Sequence, residues 1–162
     1  MHLSESHALP VPPNEAWAAL NDVDTLRRVL PGCESLVEIA RDEFVADMAV
    51  PLGLATSRFT VHILRGDIDA PRRCTLHFET RGGDAEGAGR AALRLVADGA
   101  GATMLHADIT LGLPGILGVL GAPLVELVAH EMACQFFEGL RGLAAARRAR
   151  GGAAPRASRA AP

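Results

Sequence analysis

Residues 58–63 read Arg-Phe-Thr-Val-His-Ile, a strict alternation of polar and apolar side chains. Successive side chains of a β-strand point to opposite faces, so this spacing places Phe59, Val61 and Ile63 on one face. Four other segments between residues 34 and 111 alternate in the same way and are separated by turn residues. Five such segments predict an antiparallel sheet with one apolar face. The other apolar sets are Phe44, Ala46, Met48 and Val50; Cys74, Leu76 and Phe78; Ala91, Leu93 and Leu95; and Leu105, Ala107, Ile109 and Leu111.

Two short helices are predicted between a first strand at residues 2–9 and the alternating segments. The first helix covers residues 14–20. The second begins at a capping residue, Asp22 or Asp24, and ends near Leu30. A Pro-Gly pair follows the second helix and forces the chain to turn.

A long C-terminal helix is predicted after Pro114, where apolar residues recur every three or four positions. It runs to about Arg147, and Pro123 is expected to kink it or to split off its first turns. The apolar sheet face needs a cover, and this helix is the only large candidate. The predicted fold class is therefore α+β of the helix-grip type: a curved antiparallel sheet of about seven strands around one long C-terminal helix, with two short helices after the first strand. The apolar stripe of the long helix contains Leu117, Gly121, Leu124, Val128, Met132, Phe136 and Leu140.

The charge is divided unevenly along the 162 residues, a length that fits one domain. Residues 141–162 hold six Arg and no acid, whereas residues 1–140 hold ten Arg and 19 acids, a net charge of −9. The composition from Gly151 onward is Gly, Ala, Pro, Ser and Arg, which is typical of disorder. We predict a ligand-binding domain at residues 1–146 and a disordered Arg-rich tail at residues 147–162.

The composition argues against several classes of protein. Aromatic residues make up 4% of the chain, with one Trp and no Tyr, which disfavours a nucleic-acid binder that stacks bases. Three Cys without CxxC spacing disfavour a disulfide scaffold and favour a reducing compartment. The N-terminal residues do not resemble a signal peptide, and the uncharged run 111–125 is too short to span a bilayer. The predicted location is cytoplasmic, with peripheral contact at the inner face of the membrane.

The polar side chains of the sheet and the three thiols give no recognisable reaction centre. His62, His77 and His106 point outward on their strands, where a solvated surface is expected. The thiols of Cys33, Cys74 and Cys134 lack a base in recognisable geometry, so they are expected to be inert. The Gly-rich residues 82–89 lie between strands and do not open a helix, which predicts a hairpin and not a phosphate loop. We therefore predict neither catalytic nor metal-binding residues.

Six ordered stretches resemble a known family. They are residues 10–22 (PVPPNEAWAALND), 30–36 (LPGCESL), 55–63 (ATSRFTVHI, with Phe59), 67–71 (DIDAP), the Gly-rich 82–89 and 132–137 (MACQFF). The first resembles the START/Bet v 1-like superfamily (polyketide cyclases and lipid-transport proteins), and LPGCESL is typical of the carbon monoxide dehydrogenase CoxG family within it. The resemblance covers residues 7–145. It implies an accessory protein of a molybdenum-containing carbon monoxide dehydrogenase or related hydroxylase, tied to maturation or membrane association.

The apolar face of the sheet admits two interpretations, a solid core or a cavity between the sheet and the long helix. Apolar stripes usually pack a core. The family resemblance favours a cavity, and small inward residues would leave volume unfilled. We predict that it is lined by Trp17, Phe59, Val61, Leu76, Phe78, Leu93, Leu105, Leu117, Leu120, Leu124 and Val128, with Ala46, Ala91, Ala107, Gly118 and Gly121 as the small residues.

Two polar residues of the first strand share the face of Leu3 and Leu9. Glu5 and His7 are therefore the candidates for contacting the polar head of a ligand or for forming an acid–base pair. The alternative is that both lie in solvent at a frayed strand end.

Three functions remain open at this point. The first is a non-catalytic carrier or adaptor of a carbon monoxide dehydrogenase that holds a lipid or an isoprenoid quinone and requires no other cofactor. It would contact the membrane surface reversibly through residues 111–125 and the Arg-rich tail. The second is a cyclase or dehydratase acting on a polyketide-type or other apolar substrate. The third is an assembly factor with a filled core.

Overall fold

The alternating segments form a seven-stranded antiparallel sheet in the computed structural model of the protein, which describes residues 1–83, 85–115 and 120–151. Across the sheet the strands lie in the order first, seventh, sixth, fifth, fourth, third, second, so the first two strands of the chain form its edges. In chain order they are β1 (His2–Leu9), β2 (Cys33–Ala40), β3 (Glu43–Leu52), β4 (Ala55–Asp69), β5 (Arg73–Arg81), β6 (Gly87–Ala97) and β7 (Thr103–Gly112).

The helices described over their whole length are α1 (Pro13–Asn21), α2 (Val23–Val29) and α3 (Ala122–Gly151). The predicted order of one strand, two short helices, six strands and one long helix is confirmed. Asp22 is the cap of α2, since its Oδ2 accepts a hydrogen bond from the backbone N of Thr25 at 3.2 Å. An N-cap acceptor of this kind satisfies one of the unpaired N–H groups of the first turn.

The long helix begins later and ends later than its sequence pattern predicts. It begins at Ala122, so Pro123 lies in its first turn, where its missing N–H is not needed. It continues through residues 147–151, which the composition assigned to the tail, and residues 152–162 lie outside the described part of the chain. A tertiary contact accounts for the extension, because Arg147 Nη2 donates to Thr25 Oγ1 of α2 at 2.9 Å.

The buried face of α3 differs from the predicted stripe. Leu140 is fully buried as expected, whereas Val128, Met132 and Phe136 are only half-buried. A side chain that faces an internal void keeps accessible surface, and this explains Val128 and Met132. Two members of the stripe and of the predicted cavity, Leu117 and the neighbouring small residue Gly118, lie outside the described residues. The buried residues of α3 are Val125, Phe137, Leu140 and Ala144.

The space between the sheet and α3 has a filled half and an open half. Helix α1 and the C-terminal half of α3 pack on one end of the sheet and fill it with closely packed side chains. The N-terminal half of α3 lies over the other end, where a cavity remains. The filled half is built from Leu9, Val11, Ala16, Ala19, Leu95, Leu105, Ala107, Phe137, Leu140 and Ala144.

Candidate functional site

An apolar cavity of about 330 Å³ lies between the concave face of the sheet and the N-terminal half of α3. Strands β3 to β7 supply its floor, and one face of α3 supplies its roof. Its described lining consists of Met1, Leu30, Ala46, Met48, Val50, Leu52, Phe59, Val61, Ile63, Leu76, Phe78, Thr80, Ala85, Ala91, Ile109, Leu111, Leu113, Val125, Val128, Ala129 and Met132.

Strand register explains why this end of the sheet stays open. Leu76 of β5 faces Ala91 of β6, and Ala91 faces Ile109 of β7, so a methyl group stands between two larger side chains. Ala46 of β3 likewise reaches the cavity wall as a small residue. Ala107 is equally small, but it lies in the filled half, where Phe137 and Leu140 of α3 occupy the space.

The cavity wall offers almost no hydrogen-bonding groups from side chains. Among the described lining residues, Thr80 alone has a polar side chain. Its hydroxyl donates to the carbonyl oxygen of Ala85 and lies 3.3 Å from the carbonyl oxygen of Gly87. A polar ligand would therefore lose its hydrogen bonds to water without replacement, whereas an apolar ligand would bury surface at no such cost.

The volume of the cavity is in the range of ligand sites. Small-molecule sites have volumes of roughly 300–1,000 Å³. An engineered apolar cavity of about 150 Å³ stays dry and binds benzene. A cavity of about 330 Å³ is therefore large enough for a two-ring system or a folded stretch of acyl chain.

Five of the residues predicted to line a cavity lie on its wall: Phe59, Val61, Leu76, Phe78 and Val128. The strand members of this set point inward because they share the phase of alternation that the sequence showed. The remaining lining residues of α3 were absent from the prediction, since the 3.6-residue pattern alone does not show which turns of a helix cover a void. Those residues are Val125, Ala129 and Met132.

The other residues predicted to line the cavity lie elsewhere in this structure. Leu105 is part of the filled half, and Trp17 and Leu93 pack against it. Leu120 packs beside Ala85 and Val125 at the border of the cavity without contributing to the wall described. Two residues complete the predicted set: Leu124, which is half-buried on another side of α3, and Leu117, which lies outside the described residues.

Glu5 and His7 point inward as predicted, but they meet α3 and not the cavity. Both lie on edge strand β1, and the ring of His7 stacks on Phe137 of α3 with 4.2 Å between ring centroids. His7 Nε2 lies 3.1 Å from Glu5 Oε2, and His130 Nδ1 of α3 lies 2.8 Å from Glu5 Oε1. Because the strand edge lies against the helix, neither side chain reaches the described wall, and the expected contact with a ligand head is not available there.

The remaining candidates have the surroundings that the sequence indicated. The β4–β5 register pairs His62 with Glu79 and His77 with Leu64, so the two imidazoles are diagonal neighbours on the outer face. His106 Nδ1 lies 2.7 Å from Ser6 Oγ on the same outer face of the β1–β7 pair. The Gly-rich residues connect β5 to β6, which confirms the hairpin, although Asp84 lies outside the described residues.

The three thiols are free and poorly ionised. Burial raises the pKa of Cys33 and of Cys74 above the usual range of a thiol. Burial also raises the pKa of Cys134, and the nearby carboxylates of Glu5, Glu131 and Glu138 raise it further. A thiolate nucleophile needs the opposite surroundings, so none of the three is activated as a nucleophile in this state.

Comparison with known families identifies the fold and its relatives. The family model for CoxG, the G-type subunit of carbon monoxide dehydrogenase, matches residues 6–144. The chain belongs to the CoxG family. This result confirms the family resemblance, and no curated protein matches the chain in sequence at a significant level.

Solved structures similar to this CoxG-family protein share its helix-grip, START-like fold. A conserved protein from Geobacillus kaustophilus is 22% identical, with a TM-score of 0.84 over 90% of this chain and 95% of that one. The ZhuI aromatase/cyclase from Streptomyces sp. R1128 is 18% identical, with a TM-score of 0.66 over 94% and 98% of the two chains. A START superfamily protein from Mycobacterium smegmatis is 15% identical, with a TM-score of 0.66 over 88% and 96%.

The helices of this CoxG-family protein are too polar or too short to cross a membrane. Within the described residues, none of them has an apolar stretch long enough to span a lipid bilayer. The longest helix, α3, carries charged residues along its length, including Glu126, Glu131, Glu138 and Arg141.

Proposed function

We propose that this CoxG-family protein is a non-catalytic accessory protein that binds an apolar molecule for a molybdenum carbon monoxide dehydrogenase or a related hydroxylase. The observation that carries the proposal is the cavity of about 330 Å³, whose described wall is apolar except for the internally bonded Thr80 hydroxyl. Burial of apolar ligand surface in such a wall contributes roughly 25 cal/mol per Å². The family match supports the choice of partner enzyme.

The ligand class we propose is a lipid or an isoprenoid quinone. Oxidation of carbon monoxide with water yields carbon dioxide, two electrons and two protons, and a quinone takes up two electrons and two protons to become a quinol. A two-ring quinone head fits the volume of the cavity, and its isoprenoid chain is as apolar as the wall. The protein would thus aid electron delivery from the partner enzyme to the membrane.

Membrane association is the second part of the proposal. The apolar run 111–125 adjoins the cavity, because Leu111, Leu113 and Val125 contribute to its wall. The C-terminal part of the chain is basic, and Arg141 and Arg150 are exposed on α3. Apolar insertion combined with a few cations gives reversible attachment to anionic membranes.

A cyclase or dehydratase is the alternative function, and the similarity to the Streptomyces aromatase/cyclase motivates it. Such chemistry needs a general acid or base in contact with the substrate. The described wall supplies only the Thr80 hydroxyl, and Glu5 and His7 face α3 outside the wall. The surroundings of the cavity therefore favour binding over catalysis.

The experiment is a ligand-binding titration with a matched pair of variants. Protein purified from membrane-containing lysate is extracted with organic solvent, and the extract is examined by mass spectrometry for lipids and quinones. A short-chain naphthoquinone is then titrated into delipidated protein. Ala129→Phe places a ring in the cavity and is expected to weaken binding at least about tenfold, which corresponds to 1.4 kcal/mol. The control Ala145→Phe adds the same ring at an exposed position of α3 and should bind like the parent.

The outcomes separate the three hypotheses. A co-purified apolar molecule with saturable, Ala129-dependent binding supports the carrier. Conversion of the bound molecule to a product of different mass supports the cyclase. An empty protein that binds neither quinone nor fatty acid, or an Ala129→Phe variant that binds as the parent does, would refute the proposal.

A further inference from the structure

Three metal-ligating side chains meet where edge strand β1 lies against α3, away from the cavity. They are Glu5 of β1 and His130 and Cys134 of α3. One donor atom from each residue lies within 4.8 Å of the donor atoms of the other two. A carboxylate, an imidazole and a thiolate are together a ligand set that Zn²⁺ accepts in proteins.

The helix presents two of these ligands on one face. His130 and Cys134 are four residues apart, a spacing that stacks side chains on successive turns of a helix. Helical metal sites use the same spacing, as in the two histidines of HExxH. The spacing is visible in the sequence, but the third ligand is not, because Glu5 precedes His130 by 125 residues.

Glu5 is held in place for a ligand on its free side. Its side chain is only 12% exposed, and Oε2 lies 3.1 Å from His7 Nε2. The ring of His7 is itself fixed by stacking on Phe137. A carboxylate oriented by a second histidine in this way is a common outer-shell arrangement in metal sites, and it leaves Oε1 directed at His130.

The distances suit tetrahedral coordination. Cys134 Sγ lies 3.6 Å from His130 Nε2. Zn–S and Zn–N bonds of about 2.3 and 2.0–2.1 Å at a tetrahedral angle separate sulfur and nitrogen by roughly 3.6 Å. A bound ion would replace the present 2.8 Å contact between Glu5 and His130, and the side chain of His130, 55% exposed, has room to turn and gives access from solvent.

The charges also balance. A carboxylate and a thiolate together neutralise a divalent cation, so the occupied site would carry no net charge at the strand–helix contact. Glu131 and Glu138 lie close enough to act on the Cys134 sulfur, and they add negative potential that attracts a cation.

We propose that Glu5, His130 and Cys134 form a binding site for a thiophilic divalent metal ion of the Zn²⁺ class, with His7 as a positioning residue. The three protein ligands leave one tetrahedral position for water. The ion would join the edge strand to the helix that covers the cavity, and binding should therefore stabilise the folded protein.

The test uses Co²⁺ as a spectroscopic substitute for Zn²⁺. Full-length protein is freed of metal with a chelator and titrated with Co²⁺ under reducing conditions. We expect one equivalent to produce a thiolate-to-cobalt charge-transfer band, which Zn²⁺ then abolishes by displacement. Cys134→Ser should eliminate the band, and His130→Ala should weaken binding at least about tenfold. Cys33→Ser is the matched control, since it removes another half-buried thiol on the opposite edge of the sheet, and it should keep the band.

His7 is tested by a variant that keeps its packing. His7→Phe retains an aromatic ring against Phe137 but removes the nitrogen beside Glu5, so Zn²⁺ affinity should fall by roughly 10–100-fold. Zn²⁺ should also raise the melting temperature of the parent and of Cys33→Ser, but not that of Cys134→Ser.

The proposal is overturned if the parent gives no saturable band and no Zn²⁺-dependent rise in melting temperature. It is also overturned if Cys134→Ser and His130→Ala bind as the parent does. Quinone titration of Cys134→Ser keeps this test separate from the cavity, because that variant leaves the cavity wall intact.

Discussion

The ring of Phe78 lies over the backbone of Gly89, its partner across the β5–β6 pair. A Cβ atom added to Gly89 would lie 2.6 Å from Phe78 Cζ and 2.6 Å from the carbonyl oxygen of Thr110. Since Phe78 belongs to the cavity wall, the absent side chain of Gly89 sets the position of that part of the wall.

Gly89→Ala should destabilise the protein and shrink the cavity. The new methyl group overlaps the ring of Phe78 and a backbone oxygen, and only the ring can move, towards the cavity. We expect a loss of about 1–3 kcal/mol in the free energy of unfolding, measured by urea denaturation, together with weaker quinone binding. The control is Gly66→Ala, whose Cβ would meet nothing within 4 Å and which should change stability by less than about 0.5 kcal/mol. Equal effects of the two substitutions would contradict this interpretation of Phe78.

Gly32→Ala should be more damaging than Gly53→Ala. Both glycines have left-handed backbone, with φ of 75° and 65°, which costs an L-residue roughly 1–2 kcal/mol. Gly53 has no atoms near the added Cβ, whereas at Gly32 the Cβ would overlap the carbonyl oxygen of Ala49. The Ala49 backbone N also donates to the Gly32 carbonyl at 2.8 Å, so the two chain segments cannot separate without losing this bond.

The measurement is the difference between the two variants in thermal or urea unfolding. Gly32→Ala is expected to cost about 1–3 kcal/mol more than Gly53→Ala because of the overlap alone. This contact also gives a physical reason for the glycine of LPGCESL. If the two substitutions cost the same, backbone conformation and not close approach would explain that glycine.

Asp22 should contribute stability that depends on pH. Its side-chain hydrogen bond with Thr25, followed by a backbone hydrogen bond and the nearby Arg147, holds the pKa of Asp22 below its usual range despite some opposing burial. Since the folded pKa is below the unfolded one, this stability is present at neutral pH and is lost as the pH falls below about 4.

The change that tests this is Asp22→Ala, with Asp22→Asn as the control. Loss of the cap should cost about 1 kcal/mol at pH 7, measured by urea unfolding, and less at pH 3. Asp22→Asn keeps a capping oxygen without a titrating carboxyl, so its difference from Ala should not change between the two pH values. A penalty for Asp22→Ala that stays constant from pH 7 to pH 3 would contradict the assigned cause.

Removal of residues 152–162 should weaken binding to anionic vesicles. This segment carries Arg156 and Arg159, and each cation near an anionic surface contributes about 1 kcal/mol. The truncation ends after Gly151 so that Arg147 keeps its bond to Thr25 and α3 keeps its contacts. Vesicle flotation at low salt should show a loss of roughly 10–30-fold in affinity.

Neutral vesicles and high salt are the controls, and both should reduce the difference between the full and truncated chains. Arg148 donates to the carbonyl oxygen of Pro10 at 3.2 Å, so it belongs to the folded domain more than to a free basic end. If the truncated chain floats as well as the full chain at low salt, the last eleven residues have no part in membrane attachment.

The positions of the candidate ligand residues could be predicted from the sequence only in part. The two-residue period places Phe59, Val61, Leu76 and Phe78 on the inner face, and all four reach the cavity. The same period also places Leu93 and Leu105 on that face, yet they belong to the filled half. Periodicity specifies the face of a strand, but not which helix turn lies above a given residue.

The metal-ligand cluster was beyond prediction for a related reason. His130 falls on the polar side of the helical pattern, and only the packing of α3 on edge strand β1 brings it to Glu5. Helix packing angles and positions depend on many side chains at once, so a polar residue near the edge of a stripe can face either solvent or a neighbouring strand.

The sequence alone determined the order of elements, the inner face of each strand and the turn at Gly32, because these follow from local alternation, caps and backbone preference. The tertiary structure alone decided that one half is filled and the other open. Phe137 and Leu140 fill the space over Leu105 and Ala107, whereas Ala91 leaves a gap between Leu76 and Ile109. Whether inward side chains pack solidly depends on the summed volume of residues far apart in the chain, and no local pattern encodes that sum.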